Sequence, residues 1–204
     1  MTCGPTINKF PAKLVVLLTL CTSLTLLESA CGGALFKVKP VVELPPLTGA
    51  VTSGSAGGVL VRVAPLLGDE ESQELFEANL PVSGVLPVRI ELAFQSGLPI
   101  ETKRARFRLR DDQNQEWKLL SPKNAISRIM KANGVSLYNP NSRKQFENEF
   151  TAYAIALKTP LSSSDPRRLV FLFFQTPDTR PVKSDLRLTL SVERLSQAAS
   201  IVLN

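Results

Sequence analysis

The chain has 204 residues, 44% of them hydrophobic and 21% charged, which suits a globular protein with one sizeable core. Its formal charge is +6 and it contains no histidine, which excludes Ser-His-Asp and Cys-His catalysis and His-ligated zinc. The positive charge is modest and evenly spread, and without any nucleic-acid module signature it favours an anionic lipid, polymer or protein neighbour over nucleic acid.

Lys9 and Lys13 precede the 14-residue apolar run Leu14–Leu27, too short to span a bilayer as a helix. Ser29 and Ala30 follow, then Cys31-Gly32-Gly33. Charged n-region, apolar h-region, small residues and cysteine together resemble the signal peptide and lipobox of bacterial lipoproteins. Glu28 departs from that pattern, standing where the family has Leu, while Leu27 sits one place early. The resemblance covers about the first 33 residues. It implies a signal peptide over 1–30 and lipidation of Cys31. The lipid would hold the chain at the cell envelope, and Gly32 in place of Asp after the cysteine favours the outer over the inner membrane. Acyl chains contribute about 0.8 kcal/mol per buried CH₂, so more than one chain anchors stably. Two alternatives stay open: ordinary signal-peptidase cleavage near Gly32-Gly33-Ala34, and an uncleaved anchor. With Cys3 and Cys21 removed in the leader, Cys31 would be the only cysteine left, so no intrachain disulfide could form.

Residues 31–57 carry Pro40, Pro45 and Pro46 and then TGAVTSGSAGG, which reads as a flexible tether with a reach of roughly 25–30 Å. A folded domain is expected over 58–204. Val59–Val63 is a β-branched strand, and Asp69, Glu70, Glu71 and Glu74 cap a short helix or loop. In VLPVRIELAF the residues Val88, Ile90, Leu92 and Phe94 share one face, with Arg89 and Glu91 on the other. In RARFRLR, Ala105, Phe107 and Leu109 point inward, and Arg104, Arg106, Arg108 and Arg110 point outward. Those four cations, about 6–7 Å apart along the strand, form either a solvated face paired with Glu91, Glu101, Glu116 or Glu193, or a docking strip for anionic headgroups or an acidic partner. Lys123, Arg128 and Lys131 could extend such a strip.

Asp111-Asp112-Gln113-Asn114 is a polar hairpin turn that lacks the spacing of a calcium loop, and Glu116–Leu120 is the next strand. Ser121-Pro122 starts a helix with Ala125, Ile126, Ile129 and Met130 on one face, closed by Gly134. A second helix is expected from about Ser142 to Leu157, with Phe146, Phe150, Tyr153 and Leu157 inward. Ser162-Ser163-Ser164-Asp165 is a loop with no nucleophile elbow. Leu169–Phe174 is a buried strand, LRLTLSVERL an alternating one, and Ala199–Leu203 a short last one. Trp117, Phe107, Phe171 and Phe173 are core candidates.

The half Val88–Trp117 and the later Phe173-Phe174-Gln175-Thr176-Pro177 resemble the immunoglobulin-like domains of bacterial envelope lipoproteins, over about residues 85–195. The resemblance implies a mainly β protein: an immunoglobulin-like antiparallel sandwich of about seven strands, here with a two-helix insertion at about 121–157. The expected function is that of a non-enzymatic envelope lipoprotein serving as an interaction or structural module, with no cofactor, metal or catalytic residue. The alternative is a secreted or periplasmic protein that binds an anionic ligand through its arginine face.

Overall fold

The computed structural model describes residues 39–40, 43–47, 51–134, 140–155, 157–195 and 197–203. Cys31 and the leader lie outside the described residues. The elements in chain order are β1 (Thr52–Ser55), β2 (Val59–Pro65), α1 (Asp69–Phe76), a 3₁₀ turn (Pro81–Ser83), β3 (Val85–Phe94), β4 (Arg106–Asp111), β5 (Glu116–Leu120), α2 (Pro122–Ala132), α3 (Pro140–Ile155), β6 (Arg167–Gln175), β7 (Leu188–Glu193) and β8 (Ala199–Leu203).

The eight strands form one antiparallel sheet in the order β1-β2-β3-β6-β5-β4-β7-β8. β5 pairs with β4 at Leu109↔Trp117 and Arg110↔Glu116, and with β6 at Lys118↔Gln175, Leu119↔Phe174 and Leu120↔Phe173. It therefore runs across from one half of the sheet to the other. The edges β1 and β8 also approach one another, since a Cβ added at Gly54 would stand 2.9 Å from Ile201 Cγ1. The sheet is thus nearly barrel-shaped.

The mainly β expectation holds, with all seven expected strands present. The eighth, β1, comes from the stretch expected as tether, so the sheet starts before residue 58. Its sequence TSGS shows no apolar alternation, and the glycine leaves room for Ile201 from β8.

Two apolar layers hold the fold. The sheet's inner face gathers Val61, Ile90, Leu92, Phe107, Leu109, Trp117, Leu172, Leu190 and Ile201. On the outer face of β3 and β6, Val85, Phe171 and Phe173 meet Phe76 of α1, Ile126 and Ile129 of α2, and Phe146, Phe150 and Tyr153 of α3. β6 is covered on both faces, which is why LVFLFF is an unbroken apolar run rather than an alternating one. Each large side chain so buried contributes about 1.5–3 kcal/mol.

The helices follow their local signals closely. Ser121 Oγ accepts from the Asn124 amide at 3.3 Å, Pro122 opens α2, and Gly134 takes the left-handed conformation (φ 66°) just beyond it. Ser121→Ala is expected to cost about 1 kcal/mol in urea denaturation, with an unchanged m-value. α3 stops at Ile155, two residues short of the expected end. There the Thr102 hydroxyl bonds the Leu157 carbonyl at 3.0 Å, and Leu157 packs against the inner layer instead of sharing a face with Tyr153. Asp69, Glu70 and Glu71 form the first turn of α1, where carboxylates suit the helix dipole. Among the described residues, no helix is long and apolar enough to cross a membrane.

Candidate functional site

The arginines of the RARFRLR stretch do not form a uniform strip. Arg104 and Arg106 are exposed, and neither has a carboxylate within ion-pair distance among the described residues. Arg108 lies 3.8 Å from Glu193 Oε1 on the neighbouring β7. Arg110 turns toward the hairpin, donating to Asn114 Oδ1 at 3.1 Å and lying 3.5 Å from Glu116 Oε2. Glu193 and Glu116 therefore match two of the four cations, as the solvated-face reading expects, and leave two unmatched. Exposed pairs of this kind contribute at most about 1 kcal/mol each. Glu91 is engaged elsewhere, with Arg62 at 3.4 Å. Arg128 also stands apart, its guanidinium donating to the carbonyls of Ser83 (3.0 Å) and Thr179.

Beside the strip the sheet opens. β5 ends at Leu120 because Ser121-Pro122 begins α2, so β6 loses its neighbour ahead of Phe173. β4 ahead of Leu109 pairs only with β7. The opening between β4 and β6 is a cleft of about 430 Å³. Its walls are mostly apolar, including Phe107, Leu119, Leu157 and Phe171, with Arg106, Arg108 and Glu116 as its charged members.

The hairpin turn is organised by Asp111. Its Oδ1 accepts from the amides of Gln113 (3.1 Å) and Gln115 (2.8 Å), and Oδ2 accepts from Trp117 Nε1 at 3.3 Å. Asn114 adopts φ 61°, which asparagine tolerates. Both oxygens of this carboxylate are thus engaged in shaping the turn and holding the indole. In the serine-rich loop, Asp165 binds Arg168 and its backbone pairs with Ser162.

A second feature lies in the stretch expected as a flexible tether. Residues 39–40 and 43–47 lie as a strap over the helical layer. The Lys39 amide donates to the Leu75 carbonyl at 3.0 Å, its ammonium meets Glu74 at 2.7 Å, and the Tyr153 hydroxyl donates to its carbonyl. The Arg89 guanidinium donates to the Pro45 carbonyl, Leu44 packs on the helical layer, and Leu47 is buried. The Lys39 partnership lowers the Glu74 pKa.

Arg89 does lie on the opposite face from Val88 and Ile90, as alternation requires. That face is covered, however, leaving Arg89 only 7% exposed. Its Nε has no hydrogen-bond partner among the described residues, and burial lowers its pKa. Burial likewise raises the Tyr153 hydroxyl above the ordinary phenol range. The usable signal was an arginine inside an otherwise apolar strand, together with Leu44 and Leu47 among the prolines. Tyr153→Phe removes one strap bond worth about 1 kcal/mol. Proteinase K should then cut within Lys39–Leu47 about fivefold faster, and an unchanged rate would show that this bond does not hold the strap.

Comparison with protein-family models, with curated proteins and with solved structures finds no match to this chain.

Proposed function

We propose that the chain is a non-enzymatic lipoprotein of the bacterial cell envelope, anchored through Cys31 and presenting its β domain as an interaction or structural module. The observation that carries this reading is the succession of charged n-region, Leu14–Leu27, Ser29-Ala30 and Cys31. The outer membrane is the favoured location. The strap bears on how the domain would be held. Eight steps of chain separate Cys31 from Lys39, a contour of at most about 28 Å, so the first docked residue follows the anchor after eight links rather than the 26 from Cys31 to Gly57.

We also infer that the strand arrangement is a variant of the immunoglobulin-like sandwich. β1-β2-β3-β6 would form one layer and β4-β7-β8 the other, with β5 bridging them. In support, side chains from both groups meet in one inner apolar cluster.

A second reading is a secreted or periplasmic protein that recognises an anionic ligand, such as an envelope polymer or acidic protein, through the arginine face. It is favoured by Arg104 and Arg106, which have no acidic partner among the described residues. Cell fractionation separates the two readings. The anchored protein sediments with membranes, and Cys31→Ala moves it to the soluble fraction. A soluble periplasmic product from the unmutated chain would overturn the anchor and leave the second reading.

A further inference from the structure

The cleft between β4 and β6 is explained by neither anchoring nor a flat docking strip. Its volume of about 430 Å³ falls within the range of small-molecule sites, roughly 300–1,000 Å³. Apolar side chains from the strand interior and from the helical layer both reach its walls, as Phe107 and Phe171 illustrate. Leu119, at the end of β5, is 43% exposed there although it is large and apolar. Of the charged members, Arg108 is matched by Glu193 and Glu116 by Arg110. Arg106 is the remaining cation, and among the described residues no carboxylate lies within ion-pair distance of it, although Glu193 stands opposite it in register on β7. The cleft therefore combines an apolar wall with one cation that makes no ion pair among the described residues.

We propose that this cleft binds a small anionic amphiphile, a single-chain carboxylate of the fatty-acid type. The chain lies against Phe107, Leu119 and Leu157, and the head group pairs with Arg106. This deepens the reading of the arginine face as an anion-recognising surface and does not depend on Cys31 anchoring. A free inorganic anion would gain nothing from the apolar walls. The Ile100–Leu161 bridge draws together the chain segments leading into β4 and β6.

The test is equilibrium dialysis of the full chain carrying Cys31→Ser, so that no acyl group is attached, against radiolabelled laurate. Emission from Trp117, the sole tryptophan, provides a second readout two residues from Leu119. Saturable one-site binding is expected, about tenfold weaker in Arg106→Glu, as loss of a charge-assisted contact implies. Dodecanol, which has the chain without the charge, should compete about tenfold less well than laurate. Ala105→Phe, which fills the cleft, and Leu119→Glu, at an exposed position that tolerates polarity, should each abolish binding. Absence of saturable binding overturns the proposal, as does laurate binding unchanged by Arg106→Glu or by Leu119→Glu. Flotation with anionic vesicles distinguishes the broader reading: the arginine face fails if Arg106→Glu leaves vesicle binding intact. The cleft alone fails if vesicle binding depends on Arg106 while laurate does not bind.

Discussion

Phe76→Ala is expected to destabilise the domain by about 3–5 kcal/mol, a large part of the roughly 5–15 kcal/mol typical of a folded domain. Phe76 is fully buried at the end of α1, and its ring lies 5.4 Å from that of Phe171, 5.6 Å from Phe150, 5.9 Å from Phe173 and 6.3 Å from Tyr153. Three of these four contacts are edge-on, the geometry in which aromatic quadrupoles attract. Truncation leaves a cavity bounded by both β6 and α3, two elements that cannot both relax into it. Urea unfolding measures the loss directly. Leu98→Ala, at a residue 84% exposed, should change stability by less than about 0.5 kcal/mol and serves as the control. A cost below about 1 kcal/mol for Phe76→Ala would mean that the helical layer does not pack on the sheet as described.

Gly58→Ala is the second large effect, about 2–4 kcal/mol. Gly58 joins β1 to β2 at φ 87°, and its carbonyl accepts from the Gln95 amide at 2.8 Å. A Cβ there would stand 2.5 Å from the Ser96 carbonyl oxygen, which is backbone and cannot swing aside. Gly97 offers the comparison. It has φ 104° but nothing within 4 Å of an added Cβ, so Gly97→Ala carries conformational strain alone. The difference between the two unfolding free energies isolates the steric part. Equal costs would show that β1 and β2 approach β3 less closely than the structure has it.

The strands were legible wherever one face is apolar and the other is wet. In RARFRLR and LRLTLSVERL the alternation places Phe107, Leu109, Leu188, Leu190 and Val192 inward without help from the rest of the chain. The cap signals at Ser121-Pro122 and Gly134 located α2 for an equally local reason. What stayed hidden depends on tertiary neighbours. β1 is TSGS, without apolar alternation, and its Gly54 is required by Ile201, which presses on it from the opposite edge. The path of β5 from β4 to β6 leaves no mark in EWKLL, although it creates the cleft and exposes Leu119. Arg89 obeys the alternation of its strand, but its burial depends on the helical layer and the strap that cover that face. The arginine strip was visible as a charge pattern, whereas its division into matched and unmatched members required the positions of Glu193 and Glu116.

The strap also changes what an anchor at Cys31 would do. With docking from Lys39 onward, a lipid at Cys31 would keep the helical layer and Arg89 within a short contour of the bilayer. The arginine face belongs to β4, on the other half of the sheet order from β3 and its strap contact, and the cleft lies between β4 and β6.

Metabolic labelling with a palmitate analogue tests the central claim most directly. The unmutated chain is expected to incorporate the label, and Cys31→Ala is expected not to. An unlabelled chain recovered in the soluble periplasmic fraction, or a label that persists in Cys31→Ala, would contradict it.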